Sequence, residues 1–385
     1  MMTERLYYED SHMAEFDAKV ISCEKSGENY EVVLDRTAFF PEGGGQSADT
    51  GFLEDIRIVD VQEKNGSIFH KAEGYIEPGS EVKGRIDWKQ RFTRMQQHTG
   101  EHILSGLIHK RFGYDNVGFH LSDEICTLDL NGPMTKEEVR EIENAANEAV
   151  FACIPVEVLY PSKDELASLE YRSKIEIEGQ VRIVRIPGYD VCACCAPHVD
   201  NTGEIGLIKL ISVQNYKGGV RLTVVCGRRA LADYQAKEDS VKAIMFSLSS
   251  KEELIADAVE KLKEETNAWK MKLIEARREM LAGKVTGIEE GKACVCLFES
   301  GLEGSEPREL MNLVLDRNVK VCGVFAGTDD VGYRYVIGSR TEDVRPLGKE
   351  LNQAFEGRGG GKPEMVQGSL KGAASEIKEY FMKVQ

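Results

Sequence analysis

The apolar residues of this chain change their spacing along its length, and that change limits the folds open to it. From residue 1 to about 87, stretches such as "AKVISCEKSGENYEVVLDRTAFF" and "IRIVDVQEKNGSIFHKA" alternate apolar and polar positions, with Ser-Gly and Asn-Gly turn signals between runs. Alternation with a period of two makes half-buried strands, so a small β-barrel or sandwich is expected here. A helix is expected from Asp87, a suitable N-cap with Gln90 three positions on, through "WKQRFTRMQQHTGEHILSGLIHKRF". A second helix opens on Thr135 and Glu138, which have the spacing of a capping box. Strand-like "IPVEVLY", "VRIVRI", "IGLIKLISVQNY" and "VRLTVVCG" surround it, the make-up of a two-layer α+β domain.

From about 235 to 283 the period changes again. Ile255, Val259, Leu262, Thr266, Trp269, Leu273, Ala276 and Met280 recur at alternating steps of four and three, the spacing of a coiled-coil seam. This predicts one long helix, either paired with a second copy or packed along its own chain. Beyond "LAGKVTG", strand-like "KACVCLFES" and "VKVCGVFAG" and the glycine-rich "FEGRGGGKPEMVQGS" indicate a C-terminal α/β domain. The expected class is α+β and multidomain: a small β-barrel over 1–87, a layered α+β domain over 88–234, a helical segment over 235–285 and an α/β domain over 286–385.

Composition excludes some functions. With 42% hydrophobic and 30% charged residues the chain is globular rather than disordered. The start, "MMTERLYYEDSHMAEF", lacks a basic region followed by an apolar run, and no apolar stretch approaches the roughly 18 residues of a membrane span. A cytoplasmic protein with reduced thiols is expected. A net charge of −16 argues against non-specific attraction to phosphates, so a nucleic-acid partner requires a local basic surface. Lys217, Arg221, Arg228 and Arg229, or Arg340, Arg345, Lys349, Arg358 and Lys362, are candidates; each group also reads as ordinary solvated charge.

The chemistry-bearing residues fall in two short stretches. "QHTGEHILS" places His98 and His102 at i and i+4 of the predicted helix, so both imidazoles leave one face a turn apart. "VCACCAPHVD" repeats the three-residue gap with Cys194 and His198, where Pro197 disfavours helix and puts the pair on a turn. Two histidines from a helix with a cysteine and a histidine from a loop make a closed N₃S set of the kind Zn²⁺ accepts. Two other readings compete. "HTGEH" also fits the inverted zinc-peptidase arrangement, with Glu101 as general base. Cys192 and Cys195 form a C-x-x-C, the spacing of a thiol redox pair, although the surrounding strand and helix context is missing.

At these residues the chain resembles the alanyl-tRNA editing proteins of the AlaX type, relatives of the editing domain of alanyl-tRNA synthetase. The likeness rests on "HTGEH", on the CxxxH of "CCAPHVDNTGEIG" and on "LYYEDS…LDRTAFFPEGGGQSADTG". The segment "EGRGGGKPEMVQGS" is similar to the tail of the DHH-associated domain that ends the synthetase, so nearly the whole chain matches the long form.

The resemblance implies hydrolysis, in trans, of the ester joining serine, and by extension glycine, to the alanine tRNA. It implies zinc on His98, His102, Cys194 and His198, with Cys192 and Cys195 as neighbours rather than ligands. The central domain would be the editing domain, and the helical segment and C-terminal domain would serve tRNA binding and a homodimer. Thr37, Gln46 and His120 are expected to supply polar contacts to the substrate. Gly43, Gly44 and Gly45 are expected to bring backbone amides close to it. The alternative of another class is a non-catalytic tRNA-binding protein stapled by its zinc.

Overall fold

A computed structural model describes residues 2–173 and 179–383 of the chain. They divide into two compact units, Met1–Ile244 and Met245–Gln385. The expected boundaries near 87 and 234 therefore fall inside or at the end of one compact unit.

In the first unit, six antiparallel strands close on themselves in the order Glu15–Ser26, Asn29–Leu34, Ser67–Ala72, Ile56–Lys64, Gly51–Leu53, Glu81–Ile86. The sequence alternation becomes burial directly. Val82, Gly84 and Ile86 are buried while their neighbours Glu81, Lys83 and Arg85 are exposed. Phe16, Val20, Leu34, Ile58 and Ile68 fill the interior, and closing the ring leaves no free edge to aggregate.

Helix α1, Trp88–Phe112, is the axis of this unit. Asp87 accepts the Gln90 N–H at 3.2 Å, and Gly113 ends the helix in the left-handed conformation at φ +70°. Helix α2, Lys136–Phe151, is opened by the expected capping box: the Glu138 N–H donates to Thr135 and the Thr135 N–H to the Glu138 carboxylate. Thr135→Ala is expected to lower stability by about 1 kcal/mol, seen as a shifted denaturant midpoint at constant m-value. Both helices lie on a four-stranded antiparallel sheet ordered Ile208–Tyr216, Gly219–Cys226, Cys126–Leu130, Asn116–Leu121, around a core of Met95, Ile103, Leu104, Leu128, Ile142 and Leu222. Beyond the short helix α3, Lys163–Ser168, strand Ile183–Ile186 pairs on one side with Glu157–Leu159 and on the other with Asp190–Ala193.

The helical segment departs from expectation. It is two helices, α4 (Gly227–Leu248) and α5 (Ile255–Val285), parted by Ser249 at φ +49° and a 3₁₀ turn. The seam pattern belongs entirely to α5, where Leu262, Trp269, Leu273 and Met280 are exposed in the single chain. The apolar spacing marks a face without marking continuity, and one residue in left-handed backbone ends the helix.

In the second unit, a five-stranded mixed sheet has the order Cys294–Glu299, Val321–Thr328, Gly332–Ser339, Met365–Leu370, Arg358–Lys362, with only the first pair parallel. Helix α6 (Glu306–Leu315) belongs to the core on one face, with Leu310, Val314 and Val324. Helices α7 (Arg345–Ala354) and α8 (Ala374–Lys383) belong to the core on the other, with Phe325, Tyr335, Leu351 and Phe381.

Candidate metal centre

Helix α1 carries "HTGEH" into the middle of the first unit, and two of its glycines let other strands press against it. A Cβ on Gly100 would lie 2.5 Å from Cys226 Sγ, and one on Gly106 would lie 2.3 Å from the Tyr189 carbonyl. The second approach brings strand Asp190–Ala193, and the turn that follows it, against the helix face holding His98 and His102. Arg182 shapes that turn: its Nη1 donates to the carbonyls of Cys194 at 2.7 Å and Ala196 at 3.0 Å.

The four side chains expected as ligands come together there. His98 Nε2 and His198 Nε2 lie 3.5 and 3.4 Å from Cys194 Sγ. The imidazole centroids are 5.4 Å apart for His98 and His102, 4.9 Å for His98 and His198, and 4.6 Å for His102 and His198. One donor atom from each of the four lies within 4.8 Å of every other. Bonds of about 2.1 Å to nitrogen and 2.3 Å to sulfur in a tetrahedron set the N···S edge near 3.5 Å, which the two measured separations match. The donor set therefore fits a zinc ion.

Each histidine is turned so that Nδ1 meets a partner: Gln46 Oε1 at 2.8 Å for His98, Asp190 Oδ2 at 2.9 Å for His102 and Thr99 Oγ1 at 3.0 Å for His198. Fixing Nδ1 leaves Nε2 to face the centre, the outer support that metal-binding histidines require. The electrostatics are of the same kind. Burial works to raise the Cys194 thiol, but the pull of His98 and His198 and hydrogen bonds with His102 and His198 outweigh it and hold Cys194 well below the ordinary thiol range. Burial drives His198 down to about 3, leaving it a neutral donor. Burial would also lower His102, yet Asp190, Cys192 and Cys194 hold it well above its ordinary range.

The other two cysteines differ. Burial raises the Cys192 thiol, and desolvation with the adjacent Cys194 pushes Cys195 up to about 11. Cys192 does stand near His102 and Asp190, and those three atoms also lie within 4.8 Å of one another. Both Asp190 oxygens are already engaged, by His102 and by Arg172 at 2.8 and 2.9 Å.

A cavity of about 1410 Å³ opens on the cluster, lined by His98, Glu101, His102, Cys194, Gly44 and Arg182 among others. "PEGGGQ" forms a two-residue turn in which Gly43 and Gln46 exchange both backbone hydrogen bonds, at 3.1 and 3.0 Å. Gly44 and Gly45 sit at φ +60° and +83°, the backbone of a type I′ turn. A Cβ on Gly45 would lie 2.6 Å from the Phe119 carbonyl. The turn delivers Gln46 to His98, and only Gly44 of its three glycines lines the cavity.

Two expected substrate residues stand elsewhere. Thr37 is fully buried, with its hydroxyl 2.8 Å from His70 Nε2 and accepting the Phe39 N–H, so it does not reach the cavity. His120 lies exposed on strand Asn116–Leu121, paired with Thr127, outside the cavity lining. Strand alternation assigns these residues a face but not what covers it. Asp190, Arg172, Arg182 and Thr99 were not expected at the site. Thr99 lies inside "HTGEH" and Asp190 next to "VCACC", but nothing in their spacing marks them.

Residues 181–223 match the family model described as the threonyl and alanyl tRNA synthetase second additional domain, and residues 2–90 match that of the class II (A) tRNA synthetases. The chain is 29% identical to alanyl-tRNA editing protein AlaX-L of Pyrococcus horikoshii, over 98% of this chain and 96% of that protein. It is 28% identical to alanyl-tRNA editing protein Aarsd1 of Rattus norvegicus, over 93% and 92%. It is 33% identical to an alanine–tRNA ligase of Pyrobaculum neutrophilum over 98% of this chain, spanning only 44% of the ligase. Matching the editing proteins nearly end to end and the ligases over less than half their length, the chain is similar throughout to the alanyl-tRNA editing proteins of the AlaX type.

Proposed function

We propose that this chain deacylates mischarged alanine tRNA, hydrolysing the ester of Ser-tRNA(Ala) and also that of Gly-tRNA(Ala), with zinc held by His98, His102, Cys194 and His198. The observation that carries this reading is the convergence of those four donors, three of which, His98, His102 and Cys194, line a cavity large enough for an aminoacyl-adenosine. Bound there, zinc supplies a fixed positive charge for orienting or polarising the ester. An aminoacyl ester is already activated, so what remains for the protein is to place the carbonyl and a water and to exclude alternatives.

Selectivity follows from the second pocket. A synthetase pocket for alanine rejects serine weakly, because an added hydroxyl changes little, whereas a site that hydrogen-bonds that hydroxyl leaves alanine alone. Of the polar residues considered for this contact, Gln46 is the one beside the cluster: it is buried behind the cavity lining, its Oε1 holds His98, and its Nε2 has no hydrogen-bond partner among the described residues. The backbone of Gly44 gives close access beside it.

A second reading has an observation of its own. Four protein ligands close a tetrahedral site, as in structural zinc, which favours a non-catalytic tRNA-binding protein. Deacylation of Ser-, Gly- and Ala-charged tRNA(Ala), assayed side by side with wild type and His102→Ala, separates the two. We expect loss of the seryl ester with wild type only and an intact alanyl ester throughout; a seryl ester decaying at its spontaneous rate with zinc-loaded wild type refutes the enzyme. The peptidase reading needs Glu101 as a base, yet its carboxylate accepts from Ser105 and Asn116. Glu101→Gln is expected to leave most deacylation in place, measured as kcat/KM on Ser-tRNA(Ala).

The exposed seam of α5 supports a homodimer through this helix and the C-terminal domain, with the four segments 1–87, 88–234, 235–285 and 286–385 as functional parts. No helix among the described residues is long and apolar enough to cross a membrane. The proposed tRNA substrate implies a cytoplasmic activity.

A further inference from the structure

Of the three imidazoles in the cluster, only His102 rests on a charged partner. His98 leans on the amide of Gln46 and His198 on the hydroxyl of Thr99, whereas His102 faces the Asp190 carboxylate. That carboxylate is itself gripped from behind. Arg172 donates Nε to Asp190 Oδ1 at 2.8 Å and Nη2 to Oδ2 at 2.9 Å, a two-point contact that sets the plane of the carboxylate. The three side chains retain only 4%, 2% and 16% of their surface for His102, Asp190 and Arg172.

The backbone is arranged for this contact on both sides. The Arg172 N–H donates to the Val191 carbonyl at 2.8 Å, and the Ala193 N–H donates to the Arg172 carbonyl at 2.9 Å, tying the arginine to the strand that carries Asp190. From the opposite side Gly106, one turn beyond His102, leaves the room: a Cβ there would lie 2.8 Å from Asp190 Cβ and 3.0 Å from its Oδ1. Neither Arg172 nor Asp190 donates an atom to the four-residue cluster.

We propose that Arg172 and Asp190 act as an orienting clamp on His102, Arg172 working through Asp190, and that the clamp sets how tightly the cluster holds zinc. This rests on the zinc reading of the cluster. The physical reason is that an imidazole can present either nitrogen by rotating about its ring bond. A carboxylate on Nδ1–H keeps Nε2 toward the cluster and makes it the better donor. A buried carboxylate would be costly without its own partner, and the guanidinium supplies one while holding its angle. The His102, Asp190 and Cys192 grouping is then this support rather than a second metal site.

The test is zinc affinity of the full chain, measured by competition with a chromophoric chelator, beside thermal unfolding of the metal-free protein. Asp190→Asn keeps the shape but turns an N–H₂ toward either His102 or Arg172. We expect it to bind zinc about 10- to 100-fold more weakly, the usual loss when such outer support is removed. Arg172→Gln should weaken binding by less, and the double variant no further than Asp190→Asn alone, because one residue acts through the other. Gly106→Ala, which acts from α1, should weaken binding in the same direction. Unchanged affinity in Asp190→Asn, or losses from Asp190→Asn and Arg172→Gln that simply add, would overturn the clamp. A loss matched by an equal collapse of metal-free stability in Asp190→Asn would overturn it as well. If wild type itself takes up no zinc, the zinc reading has failed and the clamp falls with it.

Discussion

Cys194→Ser is expected to take the bound zinc from about one per chain to near zero, and deacylation of Ser-tRNA(Ala) to its spontaneous rate. The sulfur stands at the meeting point of His98 and His198, and its surroundings hold it as a thiolate. A serine hydroxyl in that place does not ionise near neutral pH and carries a shorter bond, so it replaces neither the charge nor the reach. Cys192→Ser and Cys195→Ser should keep both metal and activity, since their thiols are pushed upward and lie outside the four-donor set. Metal analysis after dialysis, beside the deacylation assay, reads all three variants. Zinc lost with Cys195→Ser and kept with Cys194→Ser would reverse the assignment.

The largest effect on stability is expected at Asp49. Its carboxylate accepts from Arg91 Nε at 2.9 Å and also from Arg91 Nη2, and both side chains are wholly buried. Arg91 further donates to the carbonyls of Ser11 and Ala38, and Asp49 accepts the Phe40 N–H at 2.7 Å. One pair therefore joins α1 to the segment running from Ala38 to the glycine turn. Asp49→Ala leaves a guanidinium buried without its counter-charge and is expected to lower stability by about 3–5 kcal/mol. Replacing both partners, Asp49→Leu with Arg91→Met, should recover a large part of that loss, because the uncompensated charge is removed with its partner. Urea unfolding at constant m-value measures both. A cost for Asp49→Ala below about 1 kcal/mol, the range of exposed pairs, would show that the site admits water.

What the chain determines by itself is what a few neighbouring residues can enforce. The alternation over 81–86 becomes alternating burial, Thr135 and Glu138 close their capping box, and the 98/102 pair leaves one face of α1. Each of these depends on geometry within a turn of helix or a few strand residues, so spacing reveals it. The four-residue cluster of His98, His102, Cys194 and His198 was legible for a related reason: both halves carry the same short gap, and their donor chemistry pairs them. The tertiary structure decided the rest. It set Thr37 against His70 rather than the cavity, left His120 exposed, and broke the helical segment at Ser249. It also brought Asp190 to His102, 88 positions away, and set Arg172 behind it. Those choices depend on which surfaces meet when strands close and helices dock, where glycines such as Gly100 and Gly106 admit one neighbour at van der Waals distance and a methyl group would exclude it.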